Sequence, residues 1–179
     1  MANWPLVKGR LFMVEVKSVK IDGESIYVFN SAIYIVDSST GYTLELDLIV
    51  SEIVERKYGE EENLILEIEL LDGQTINTIM HVQRLSGGLP KLNLYCDLND
   101  IGEYQNFQVF SENNISFPQI EEGVSIEDIR KIEMPNEQVR LKLTLPIDQA
   151  EWIKKQKQGD LNEIIREAIS EYWKKRASD

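Results

Sequence analysis

The chain has 179 residues, 42% of them apolar and 28% charged, which describes a folded protein of one domain or two small ones rather than a disordered chain. Cys96 is the only cysteine, so an intrachain disulfide is excluded, and no apolar run approaches the roughly 20 residues needed to span a bilayer. A net charge of −12 argues against a protein that binds polyanions over its whole surface.

The opening Met1-Ala2-Asn3-Trp4-Pro5 lacks the basic start and apolar core of a signal peptide, so a cytoplasmic location is expected. From residue 10 to 111 the pattern predicts seven antiparallel strands, at about 10–21, 24–37, 42–56, 63–71, 74–84, 91–98 and 106–111. Leu44, Leu46, Leu48 and Val50 alternate with Thr43, Glu45 and Asp47. Leu64, Leu66, Ile68 and Leu70 alternate with Glu67 and Glu69, and Leu92, Leu94, Cys96 and Leu98 with Lys91, Asn93 and Asp97. Period two with one apolar face marks half-buried strands. Asp22-Gly23 and Asp72-Gly73 supply the positive φ values of two-residue hairpin turns, and 37–41 and 86–90 read as longer turns. Short connections imply an antiparallel meander closed as a barrel or a sandwich, with no crossover helix to support a parallel sheet.

Candidate chemistry in this region is sparse. His81 is the only histidine and lies within an expected strand, and Cys96 falls on an apolar face as a buried thiol. One histidine and one cysteine cannot supply the usual ligands of a structural zinc site. The run from Asp97 to Glu103 lacks the order of an EF-hand, and the glycine-rich 86–90 lacks the Lys-Ser/Thr of a phosphate loop. Glu60–Glu62 reads as a charged hairpin tip. Tyr27, Phe29 and Tyr34 are candidates for the floor of a ligand groove. No catalytic constellation, cofactor or metal is expected, and a non-enzymatic protein is the reading.

The segment 116–137 is read as a linker between a β-domain at 1–115 and a C-terminal module at 138–179. It contains Pro118, Gly123 and Pro135, and one short helix capped by Ser125, with Ile126, Ile129 and Ile132 on one side. Charge divides at the same place. Residues 137–179 hold nine Lys/Arg against eight Asp/Glu, a net of +1, while the remainder holds ten against 23, a net of −13.

In the C-terminal module, 139–145 alternates strictly. Val139, Leu141, Leu143 and Leu145 share one face, and Arg140, Lys142 and Thr144 share the other. A lone strand needs a partner, and the same strand of a second copy is the economical one. Pro146 suits the first position of a helix that carries Ala150 and Ile153 and runs to about Lys157, with Gly159 as its C-cap. Asp160 and Glu163 form a capping pair for a second helix over 161–176. There Leu161, Ile164, Ile165, Ala168, Ile169, Tyr172 and Trp173 make an apolar stripe at helical spacing.

These residues carry a resemblance. Arg140-Leu-Lys-Leu-Thr-Leu-Pro146, Glu151-Trp152-Ile153 and the run from Gly159 through Ala168 to Tyr172 resemble the ribbon-helix-helix proteins of the MetJ/Arc/CopG type, over about a quarter of the chain. Added to the antiparallel β-meander read from the strand pattern, the resemblance implies an α+β chain that ends in a ribbon-helix-helix module and forms a homodimer, with higher oligomers open. It implies that Arg140, Lys142 and Thr144 touch base edges of double-stranded DNA. It also implies that backbone N–H groups near Leu161 and Asn162 hold a phosphate. The dimer core is then Leu141, Leu143, Leu145, Ile164, Ile165, Ala168, Ile169 and Tyr172. A two-stranded ribbon fits the major groove, and helix N-termini bind anions. The expected function is a DNA-binding transcriptional regulator whose acidic β-domain senses a ligand or docks a partner. The alternative is an oligomeric binding or scaffolding protein whose tail only mediates dimerisation.

Overall fold

In the computed structural model, residues 14–85, 87–113 and 117–177 are described, so residues 10–13 of the first expected strand and Ser86 of the expected 86–90 turn lie outside them. The chain divides into two units, Met1–Asn136 and Glu137–Asp179. The first holds β1 (Val16–Ile21), β2 (Glu24–Ile26), β3 (Asn30–Ser38), β4 (Gly41–Ile49), α1 (Glu52–Tyr58), β5 (Asn63–Leu70), β6 (Thr75–Gln83), β7 (Lys91–Leu98), β8 (Val109–Ser111) and α2 (Ile126–Ile132). The second holds α3 (Ile147–Lys154) and α4 (Gln158–Ala177). The fold is α+β: an eight-stranded mixed sheet followed by C-terminal helices.

The sheet order is β2-β1-β5-β6-β7-β4-β3-β8. A meander would pair only sequence neighbours. Here β1 pairs with β5 and β4 with β7, both antiparallel. The last strand, β8, runs parallel to β3, with Ile35 opposite Val109. No crossover helix is needed, because four further strands, β4 to β7, lie along the chain between β3 and β8. Among the described residues the ladder ends at β2 on one side and at β8 on the other.

Two hairpins show how local sequence sets the turns. Asp22 (φ 51°) and Gly23 (φ 82°) both take positive φ between Ile21 and Glu24, the two-residue turn that the Asp-Gly pair predicts. At Asp72-Gly73 only Gly73 is left-handed (φ 90°), and the Leu70 N–H bonds Gln74 O at 2.9 Å. The loop is therefore Leu71–Asp72–Gly73, three residues rather than two, and the Asp72 carboxylate accepts from the Gln74 N–H.

The alternating strands bury one face. Leu44, Leu46, Leu48, Leu64, Leu66, Ile68, Leu70, Met80, Leu92 and Leu94 are fully enclosed, in one core with Val19 and Ile21 of β1 and Ile33 and Ile35 of β3. β1 and β3, five places apart in the sheet order, both contribute to this core. Each such side chain contributes about 1.5–3 kcal/mol.

Two expected strands are broken. The 24–37 strand splits at Tyr27–Phe29, where Val28 turns toward the core. The 42–56 strand stops at Ile49, and Ser51 starts α1 instead. Its hydroxyl accepts the Val54 N–H at 3.2 Å, Glu52 and Glu55 fill the first turn, and Arg56 and Lys57 fill the last. Val54 and Tyr58 close the core from this helix. Glu60–Glu62 consequently follows a helix and is not a hairpin tip.

The segment after β8 is more than a joint. Ser125 caps α2 through the Asp128 N–H at 3.2 Å, as its spacing predicts. Ile120 and Ile129 bury against Ala32, Tyr34, Ile49 and Phe110 on the outer face of β3, forming a second core. The Asn30 amide donates to Ile120 O at 2.8 Å, Arg130 makes two hydrogen bonds to Glu52 (2.8 and 2.7 Å), and the Ser51 hydroxyl donates to Glu133. Ile132, by contrast, stays exposed.

Tyr34 is buried in this second core with Phe110, and the Phe117 ring lies beside both, so Tyr34 floors no open groove. Tyr27 and Phe29 pair with each other, their ring centroids 4.7 Å apart. Beside Tyr34, buried Asp47 accepts from the Tyr34 hydroxyl at 2.8 Å and from the Asn93 amide at 2.5 Å. Glu45 lies two residues away on the same face. Burial pushes its carboxyl pKa up, the Thr43 hydroxyl that donates to it (3.0 Å) works the other way, and the Asp47 charge adds to the rise. A carboxyl with a folded pKa above its unfolded value favours the fold only while protonated. Stability from Glu45 is therefore present at acid pH and lost as pH rises through the folded pKa. Glu45→Gln is expected to raise Tm at neutral pH. The gain should shrink as thermal melts move toward the usual carboxylate range.

Candidate nucleic-acid interface

The second unit begins with a segment whose alternation predicts a strand. In a single chain, 137–146 has no regular secondary structure, because the backbone groups of a strand need a second strand. Two of its apolar side chains nevertheless fall on one side. Leu141 and Leu143 line an open groove of about 830 Å³ with Ile165, Ala168, Ile169, Tyr172 and Trp173 of α4. Arg140, Lys142 and Thr144 are exposed and take no part in lining it.

The helices start and stop differently from their sequence signals. Pro146 is the N-cap of α3, one residue outside the helix, with an extended backbone (φ −51°, ψ 149°), and its carbonyl accepts the Ala150 N–H at 2.9 Å. The helix ends at Lys154. Lys155 caps it, and the Gln156 side chain returns to Trp152 O at 3.1 Å. Gly159 is therefore no C-cap, because α4 already begins at Gln158 and holds Gly159 and Asp160 in its first turn. This changes the anion-binding geometry. The Leu161 N–H is bonded to Lys157 O at 3.1 Å, so neither it nor Asn162, deeper in the helix, offers a free donor. In helix geometry the open amides are those of Gln158, Gly159 and Asp160. Lys154, Lys155 and Lys157 stand exposed just before them.

Gly159 has no structural reason to be glycine. Its φ lies outside the left-handed region, and a Cβ there would meet nothing within 4 Å. Glycine in a helix costs about 1 kcal/mol relative to alanine. What it does provide is unobstructed approach to the first-turn amides.

Leu145, Ala150, Ile153, Leu161 and Ile165 are half-buried. The rest of the apolar surface is open. Val139 is 74% exposed, Tyr172 66% and Trp173 75%, and Ile164 (41%) lies outside the groove. Of the expected dimer core, Leu141, Leu143, Ile165, Ala168, Ile169 and Tyr172 come together. The groove continues past them to Trp173, Arg176 and Ala177, which fall at the next helical spacings after Ile169 and Tyr172.

Elsewhere, exposed His81 sits opposite Tyr95 on the outer face of the sheet, their rings 5.2 Å apart. Cys96 is buried, and burial pushes its thiol pKa up, which disfavours the thiolate. No helix among the described residues is long and apolar enough to cross a membrane. The chain matches no family model, no curated protein and no solved structure.

Proposed function

We propose that this protein is a DNA-binding transcriptional regulator that acts as a homodimer through its C-terminal unit. Two copies pair their 139–145 segments into an antiparallel ribbon of the ribbon-helix-helix kind. The observation that carries this reading is the groove. Leu141 and Leu143 both turn toward α4, which leaves Arg140, Lys142 and Thr144 on the opposite side, away from the apolar surface. Pairing satisfies the segment's backbone, buries the open stripe of α4, and sets two copies of those three side chains on one ribbon face. Such a face fits the major groove, where Arg and Lys donate to guanine and Thr reads either base type.

The start of α4 supports phosphate binding. Its open amides, the helix dipole and the nearby lysines all favour an anion. Gly159→Ala is expected to stabilise α4 by a few tenths to about 1 kcal/mol, read as a higher Tm. It should also weaken DNA binding several-fold by placing a methyl group beside the amides. Unchanged DNA affinity in the stabilised variant would remove the phosphate from this helix end.

The acidic first unit then serves as a sensor or partner-docking module, kept off DNA by its own charge. A second reading, dimerisation without DNA, is favoured by one feature. Asp160 puts a carboxylate in the first turn of α4, where it stabilises the helix but repels a phosphate.

The test is retardation of double-stranded DNA fragments by the full-length protein at about 50 and about 200 mM salt. Sequence-selective binding that falls steeply with salt is expected. A stable dimer that binds no DNA at the lower salt leaves the second reading in its place.

A further inference from the structure

We draw no further inference here: the strongest candidate, the side-chain cluster of Glu45, Asp47, Asn93, Tyr95 and His81 on the outer face of β4, β7 and β6, carries nothing because its buried carboxylate is already hydrogen-bonded by Tyr34 and Asn93 and nothing in the structure points to a ligand there.

Discussion

Leu143→Asp is expected to convert the proposed dimer into a monomer and to abolish DNA retardation, while the fold of residues 14–136 is unchanged. Leu143 lies in the groove that the second copy is proposed to cover, yet it is 58% exposed in the single chain. The isolated unit therefore tolerates a carboxylate at this position, and the dimer does not. Burying an unpaired carboxylate costs several kcal/mol even after relaxation. A two-fold interface incurs that cost twice. At 1.4 kcal/mol per tenfold, the dissociation constant of the dimer should rise by at least about 100-fold. Sedimentation velocity over a range of concentrations reads this directly. The Tm of the wild type should also rise with protein concentration, as it does when association and folding are linked. Lys142→Ala, one residue away on the other face, should leave the dimer intact. Two results would defeat self-pairing: a wild type that stays monomeric at high concentration, or a Leu143→Asp variant that associates as the wild type does.

How far the sequence disclosed this molecule depended on whether a feature has a local cause. The strand at Asn63–Leu70 was legible because one face meets the core and the other meets water, so apolar and charged residues must alternate. Helix α2 was legible because Ser125 and Asp128 form a local cap and Ile129 returns one turn later. Helix α1 was hidden by its own composition. Ile53 and Val54 are β-branched and prolong the strand-like composition of Leu44 to Val50, so the one sign of a helix start was Ser51 followed by Glu52 and Glu55.

Strand order had no local cause at all. Nothing in β4 or β7 alone states that Leu46 lies opposite Leu94, and nothing in β8 states that it runs parallel to β3. The packing of Ile120 and Ile129 over Tyr34 is likewise a long-range fact, which a proline- and glycine-bearing stretch conceals. In the second unit the side shared by Leu141 and Leu143 was readable, but the strand that the alternation predicts is absent from the single chain, and the start of α4 was not readable. Gly159 looks like a stop signal, and only the Leu161–Lys157 hydrogen bond reveals that the helix is already under way.

Arg140→Ala with Lys142→Ala is expected to remove sequence-selective DNA binding and leave the dimer and its thermal stability unchanged. Both side chains are exposed and outside the groove, so their truncation opens no cavity and breaks no packing. Each well-placed contact to a base is worth about 1–3 kcal/mol of discrimination, and a dimer presents every contact twice. The double variant should therefore lose at least about 100-fold in affinity for a selected site. The salt dependence separates the two roles a cation can play. If Arg140 and Lys142 read bases, the variant should fall to the level of non-specific binding and keep most of its salt slope, which the exposed lysines before α4 supply. If they serve only as phosphate contacts, affinity should fall evenly for all sequences and the slope should drop by about one per lost contact. Restoring charge without the planar fork, by Arg140→Lys, should recover the slope but not the selectivity, because lysine is a point charge and cannot reproduce a bidentate pair. A wild type and a double variant that bind a selected site equally well would take the ribbon face out of DNA recognition, even with the dimer confirmed.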